Sequence, residues 1–260
     1  MMNGRCGAWA TTTDADLTLR VQLQPSFLLH RRPFRDSSQL LEVLTLEHGR
    51  VSLVARGTTR RRRGGPTGAL LQPFRPLLLG FSSRGELGTL TTVEAGGEMH
   101  APSGEALFSA LYVNELLIRL LHRHEAHPEL FRSYAATVEE LALAENPAPP
   151  LRRFEFALLE DLGYGVELTR EPDGRDVDPG LSYRVDPQLG TAAVHEVREG
   201  DAGTFRGADL LAIARGELDG GHAAAAKRLA RHLLAAHLGP QPLQSRSLFA
   251  ARRGEAAVQT

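Results

Sequence analysis

Four consecutive arginines, Arg60-Arg61-Arg62-Arg63, are the residues whose type and spacing point most directly to chemistry. They lie in a stretch rich in glycine and arginine, residues 57–68. Adjacent guanidinium groups repel one another in the free protein, and a line of phosphates relieves that repulsion through forked N–H···O contacts. Each phosphate neutralised on a single strand steepens the salt dependence of log affinity by about 0.7. Arg31, Arg32, Arg35, Arg50, Arg56 and Arg75 flank the run on separate candidate strands. Phe34 and Phe74 stand beside basic residues, where an aromatic ring can stack on a base. Phe27 and Phe81 fall inside strand patterns and are assigned to the core. Arginines outnumber candidate stacking rings, which predicts phosphate-dominated binding with little sequence preference.

Other constellations carry less. His122, His124 and His127 with Glu125 suggest a metal cluster, but offsets of two and five do not place three ligands on one helix face. They read as a solvated helix end before Pro128. The single cysteine, Cys6, excludes an intrachain disulfide and a cysteine-based zinc site. No phosphate-cradling GxxxxGK[ST] loop and no nucleophile elbow occurs, so no enzymatic activity is expected. Arg152-Arg153 opens an apolar-faced segment within an acidic region. Such arginines can receive a peptide that is acidic and aromatic at its end, or pair structurally with Glu155 and its neighbours.

The net charge of −1 conceals a strong segregation. Residues 25–84 hold eleven arginines against Asp36, Glu42 and Glu47, residues 129–178 hold twelve carboxylates against five arginines, and residues 222–253 hold six Lys/Arg and no carboxylate. Two basic ends around an acidic middle suggest a polyanionic partner. No apolar run approaches a membrane span, and no membrane partner is expected. A cytoplasmic, nucleoid-associated location is expected.

The elements that must position these residues follow from period. Leu17, Leu19, Val21 and Leu23 alternate with polar residues, which predicts a strand over 17–24. Further strands are predicted over 26–30, 40–46, 50–55, 74–82 and 87–94, with a hairpin at Glu47-His48-Gly49. Five or six short strands within one small region predict a barrel, with the oligonucleotide-binding (OB) fold as the small closed candidate. From Ser103 the period changes to three and four, predicting helices from Ser103 and from Pro128. Pro147-Ala148-Pro149-Pro150 reads as a stop, followed by a helix over 151–162 ended by Gly163. Residues 165–206 read as irregular with a minor hairpin around 186–190, and two last helices are predicted over 207–215 and 222–237.

The strings Phe27-Leu28-Leu29-His30-Arg31-Arg32-Pro33, Leu53-Val54-Ala55-Arg56-Gly57, Leu111-Tyr112-Val113-Asn114-Glu115-Leu116-Leu117, Leu151-Arg152-Arg153-Phe154-Glu155 and Leu162-Gly163-Tyr164 follow one another in this order. In order and spacing they resemble the RecO family of recombination mediators. The resemblance implies an α+β, multidomain architecture: an N-terminal OB-fold barrel over 17–100 and an all-helical C-terminal domain over 101–245. Residues 1–16 would be an N-terminal extension, 165–206 an irregular or hairpin insertion, and 246–260 a basic tail.

It also implies a protein of DNA repair and recombination that binds single- and double-stranded DNA and anneals complementary strands. Such a protein contacts the acidic C-terminal tail of single-stranded-DNA-binding protein (SSB) and, with RecR, helps RecA replace SSB on gapped DNA. Arg152, with Arg153, falls where the tail carboxylate would be held, and Arg246 supplies a basic contact near the C-terminus. Many family members carry a four-cysteine zinc ribbon in the region of 165–200. This chain has no cysteine there, so no zinc and no other cofactor is expected. An RNA-binding OB-fold protein is the alternative.

Overall fold

Strand period builds the N-terminal part. A computed structural model describes residues 19–57, 66–194, 201 and 203–245. The expectations for residues 1–16, Cys6, Arg60 to Arg63 and Arg246 lie outside the described residues. Five strands, β1 (Leu19–Phe34), β2 (Ser38–Thr45), β3 (Gly49–Ala55), β4 (Pro76–Arg84) and β5 (Leu87–Ala95), pair in an unbroken ring, β1-β2-β3-β5-β4 and back to β1. Four of the pairings are antiparallel. The fifth, a short parallel seam from Ser52–Leu87 to Val54–Thr89, closes the ring. This is the expected OB-type barrel. A one-turn helix, α1 (Pro66–Leu70), follows the arginine-rich stretch, at a place where the sequence pattern gave no element.

The two strands expected over 17–24 and 26–30 are one. β1 continues through Pro25 and serves both β2 and β4, with register irregularities between Val21 and Gln24 and between Leu28 and His30. Leu23 takes a positive φ of 51°. Bulges of this kind let a strand bend around a barrel corner without ending it.

The core explains the apolar run in β1. Leu28 points into the barrel with Val43, Leu53, Leu79 and Phe81. Its neighbours Phe27 and Leu29 point outward into a second core shared with the helices. There Phe27 meets Phe131 and Tyr134, with ring centroids 5.4 Å and 5.0 Å apart. Both faces of the strand are therefore buried at this point.

The helices are α2 (Gly104–Leu120), α3 (Pro128–Leu143), α4 (Ala148–Asp161), α5 (Gly207–Ala214) and α6 (Ala223–Leu238). α4 begins earlier than expected. Ala148, Pro149 and Pro150, read from sequence as a stop, form its first turn, because the N–H groups of a first turn have no intrahelical acceptor to lose. Gly163 follows with φ 73°, the left-handed conformation that ends a helix. The expected hairpin is β6 (Ser182–Asp186) and β7 (Gly190–Val194), whose turn is held by Asp186 accepting from Gln188 and Leu189 N–H. A third strand, β8 (Thr204–Arg206), pairs with β6 to complete a small sheet.

Barrel and helices are also joined by polar contacts. Asn114 on α2 donates to Leu29 O at 2.9 Å and accepts from the Tyr134 hydroxyl at 2.8 Å, all buried. Backbone Arg50 O accepts from His124 N–H at 3.0 Å. Gly49, with φ 61°, turns so tightly against this connection that an added Cβ would lie 1.7 Å from Glu125 O. Only glycine fits there.

Candidate nucleic-acid interface

Of the six predicted DNA-binding arginines among the described residues, the end of the barrel where β1 meets β2 gathers Arg31, Arg32, Arg35 and Arg56. Residues 30–33 of β1 are exposed on both faces, because the strand here runs beyond its pairing with β4 and keeps only β2 as a neighbour. Arg31 and Arg32 lie on this extension opposite Leu41 and Leu40. Leu40 in turn pairs with Val54 of β3, and Gln39 pairs with Ala55, so exposed Arg56 leaves β3 at the same rim. Arg35 sits in the β1–β2 turn with φ 54° and its guanidinium 5.1 Å from the Phe34 ring.

Arg31 is partly committed, donating to Leu71 O at 2.8 Å, which draws the segment before β4 alongside the rim. Arg75 is half-buried at the start of β4, with Nε enclosed and no side-chain acceptor at that atom. The arrangement offers several cations from separate strands on one surface, which suits a flexible run of phosphates better than a single base edge.

Three predicted residues are placed elsewhere. Arg50 does not face solvent: its Nη1 pairs with Glu42 at 2.9 Å and its Nε donates to Leu121 O at 3.2 Å. Ser52 donates to the same carboxylate at 2.7 Å and Arg123 approaches it at 3.3 Å. The charge thus serves the seam between barrel and helices. Phe74, 5% exposed, packs into the shared core, so its ring cannot stack on a base. Its neighbour Arg75 is basic, but Phe74 itself, with φ 66°, is turned inward.

Arg152 is the third. It lies buried on α4 and pairs with Glu155 at 2.5 Å, one turn on. Glu155 also accepts from the Tyr112 hydroxyl of α2 at 2.7 Å. This is the structural ion-pair arrangement, tying α4 to α2. Arg153, by contrast, is half-exposed and reaches Glu140 of α3.

The histidines do not converge. The His127 ring bonds Asp161 at 2.5 Å, and the described residues contain no group of three potential ligands. Among the described residues, no helix is long and apolar enough to cross a membrane.

Residues 21–97 match the family model described as Recombination protein O N terminal, and residues 101–247 match Recombination protein O C terminal. The chain belongs to the RecO family. Among curated RecO relatives, the DNA repair protein RecO of Pseudomonas aeruginosa is 43% identical over 231 residues, covering 88% of this chain and 95% of the relative. That of Nitrosococcus oceani is 46% identical over 234 residues, covering 89% and 94%. The Methylococcus capsulatus protein is 43% identical over 234 residues, covering 88% and 93%. The boundary between the two RecO models, residues 97–101, falls between β5 and α2, where the barrel ends.

Sequence reasoning missed the seam. Glu42 was read only as one of three carboxylates diluting a basic region, yet it organises Arg50, Ser52 and Arg123. Asn114 carried a signal, as a polar residue on an otherwise apolar helix face. A buried polar group on such a face requires partners, and those partners are across the seam.

Proposed function

We propose that this RecO-family chain acts in DNA repair by binding and exchange, without covalent chemistry. It holds single- and double-stranded DNA through phosphates at the barrel rim, anneals complementary strands, and with RecR helps RecA replace SSB on gapped DNA. The convergence of Arg32, Arg35 and Arg56 on one rim, from two strands and a turn, carries this reading. Among the described residues, Arg32, Arg35 and Arg56 form no ion pair with a carboxylate, so their guanidinium groups can fork onto phosphate oxygens. The acidic tail of SSB is assigned to the exposed side of α4, where Arg153 would exchange Glu140 for a tail carboxylate. Arg152 supports that surface from beneath through Glu155.

The test is fluorescence anisotropy of a labelled single strand across a salt series, with wild type and a protein carrying R32Q, R35Q and R56Q. Loss of three phosphate contacts should flatten the slope of log affinity against log salt by about 2. Unchanged affinity and slope would remove the rim from DNA binding. Tighter binding of a matched RNA strand would reassign the barrel to RNA.

A further inference from the structure

The tip of the β1–β2 hairpin carries a pair of side chains that phosphate binding alone does not require. Phe34, half-buried, closes the hairpin opposite Ser38. Arg35 follows in the turn, is exposed, and holds its guanidinium over the Phe34 ring, 5.1 Å from the centroid. Asp36 is exposed in the same turn, so the tip offers a flat face more than a net positive charge.

Arg35 takes a φ of 54°, in the left-handed region that glycine enters without strain and other residues rarely enter. The other described non-glycine residues in that region have a local cause. Leu23 lies at the bend of β1, Phe74 buries its ring, and the His124 N–H bonds Arg50 O. At Arg35 the unusual backbone sets a guanidinium against a ring at the surface. The pair of Arg228 and Phe205 is different: that ring is buried and its guanidinium is tied to Thr204 O.

We infer that Phe34 and Arg35 form a stacking platform for an unpaired base, which gives the rim a preference for single-stranded nucleic acid. A guanidinium carries its N–H donors at the edge and is flat above and below. One face of Arg35 rests on Phe34, and a base can stack on the other as it would on an aromatic ring. The donors at the edge stay available to a phosphate. Alternation along β1 puts Arg32 on the same face as Phe34, about 7 Å away, so a strand held at Arg32 passes the tip. Bases inside a duplex are stacked on one another and reach such a platform only by unpairing.

The inference rests on the rim reading for the phosphates, and the experiment separates the two. Fluorescence anisotropy on the full chain would compare an oligothymidylate, an abasic strand of the same length and a duplex. Wild type should bind the oligothymidylate about tenfold more tightly than the abasic strand, equivalent to about 1.4 kcal/mol and within the range for one stacked base. Arg35→Lys keeps the charge and loses the plane. It should reduce that preference to about twofold or less, with abasic-strand affinity, duplex affinity and salt slope unchanged. Phe34→Leu, which removes the backing ring, should act in the same direction. An unchanged melting curve for R35K shows that the hairpin is kept, and R35K decides the matter if F34L unfolds.

Equal wild-type affinity for the base-bearing and abasic strands overturns the platform. So does an R35K protein that keeps the wild-type preference, or one that weakens all three probes by the same factor, since the guanidinium then acts only on phosphate. If R35K loses the preference while the R32Q/R35Q/R56Q protein binds the abasic strand with wild-type affinity and slope, the rim reading fails and the platform stands.

Discussion

Asn114 illustrates how one buried side chain can hold two domains. Its amide satisfies Leu29 O of the barrel and the Tyr134 hydroxyl of α3 at the same time. Burial pushes the Tyr134 phenol well above its usual range, only partly offset by the bond to Asn114, so the hydroxyl remains a donor at any working pH. Asn114→Ala would leave both partners buried and unsatisfied, a loss of about 3 kcal/mol in denaturant unfolding. A loss below about 1 kcal/mol would mean that water replaces the amide. Arg152 makes a similar point. Arg152→Ala strands Glu155 as a buried charge and should destabilise by about 3–5 kcal/mol. SSB-tail affinity should be measured only on variants that still melt near the wild-type temperature, and Arg153→Ala is the cleaner probe. These roles were not legible from residue type. An arginine beside an apolar stripe reads the same whether its partner is a ligand or a carboxylate one turn away, and only burial distinguishes them.

At the scale of elements, Glu115 of α2 binds the chain beyond α6. It accepts from Gln244 N–H, Ser245 N–H and the Ser245 hydroxyl, while Arg119 donates to Gln241 O and Leu238 O. Partial burial raises the carboxyl's pKa, but the Ser245 and Gln244 bonds and the Arg119 charge outweigh it, leaving the group below the usual glutamate value. A depressed folded-state value gives stability that is full above the unfolded value and is lost as pH falls through the folded one. Glu115→Gln should therefore cost about 1 kcal/mol at neutral pH, a figure reduced for solvent exposure, and the gap should close on acidification. A gap constant with pH would point to packing instead. Most elements were legible from period alone: the strands of the barrel, the start of α3 at Pro128, and the end of α4 at Gly163. The misreadings have local causes. Pro25 in β1 and the prolines of α4 are read as breaks, yet both occupy positions where the missing N–H costs little. The three-residue β8 is too short to show alternation.

For the whole molecule, the decisive feature is that the outer face of the barrel is core. Phe27, Leu29, Leu44 and Phe74 join the helices' own buried residues in one cluster. A fragment ending near residue 100 would expose these side chains as a contiguous apolar patch, and such patches drive association. It is expected to aggregate in light scattering, while the full chain unfolds in a single transition; a soluble, independently folded barrel would contradict this. No sequence pattern revealed the shared core, because Phe27-Leu28-Leu29 breaks the alternation that a half-buried strand shows. The triplet was visible as an apolar run, but the partner for its second face was not.

β1 also joins two extremes of local stability in sixteen residues. Around Phe27 to Leu29 its amides should exchange with heavy water only when the entire fold opens, since both faces are packed. A few residues on, at His30 to Arg32, the strand has one neighbour and solvent on both sides, and exchange there should proceed through local fraying. A ligand seated on the rim would slow the second group and leave the first untouched, so the protection pattern of this single strand reports occupancy of the rim without a label.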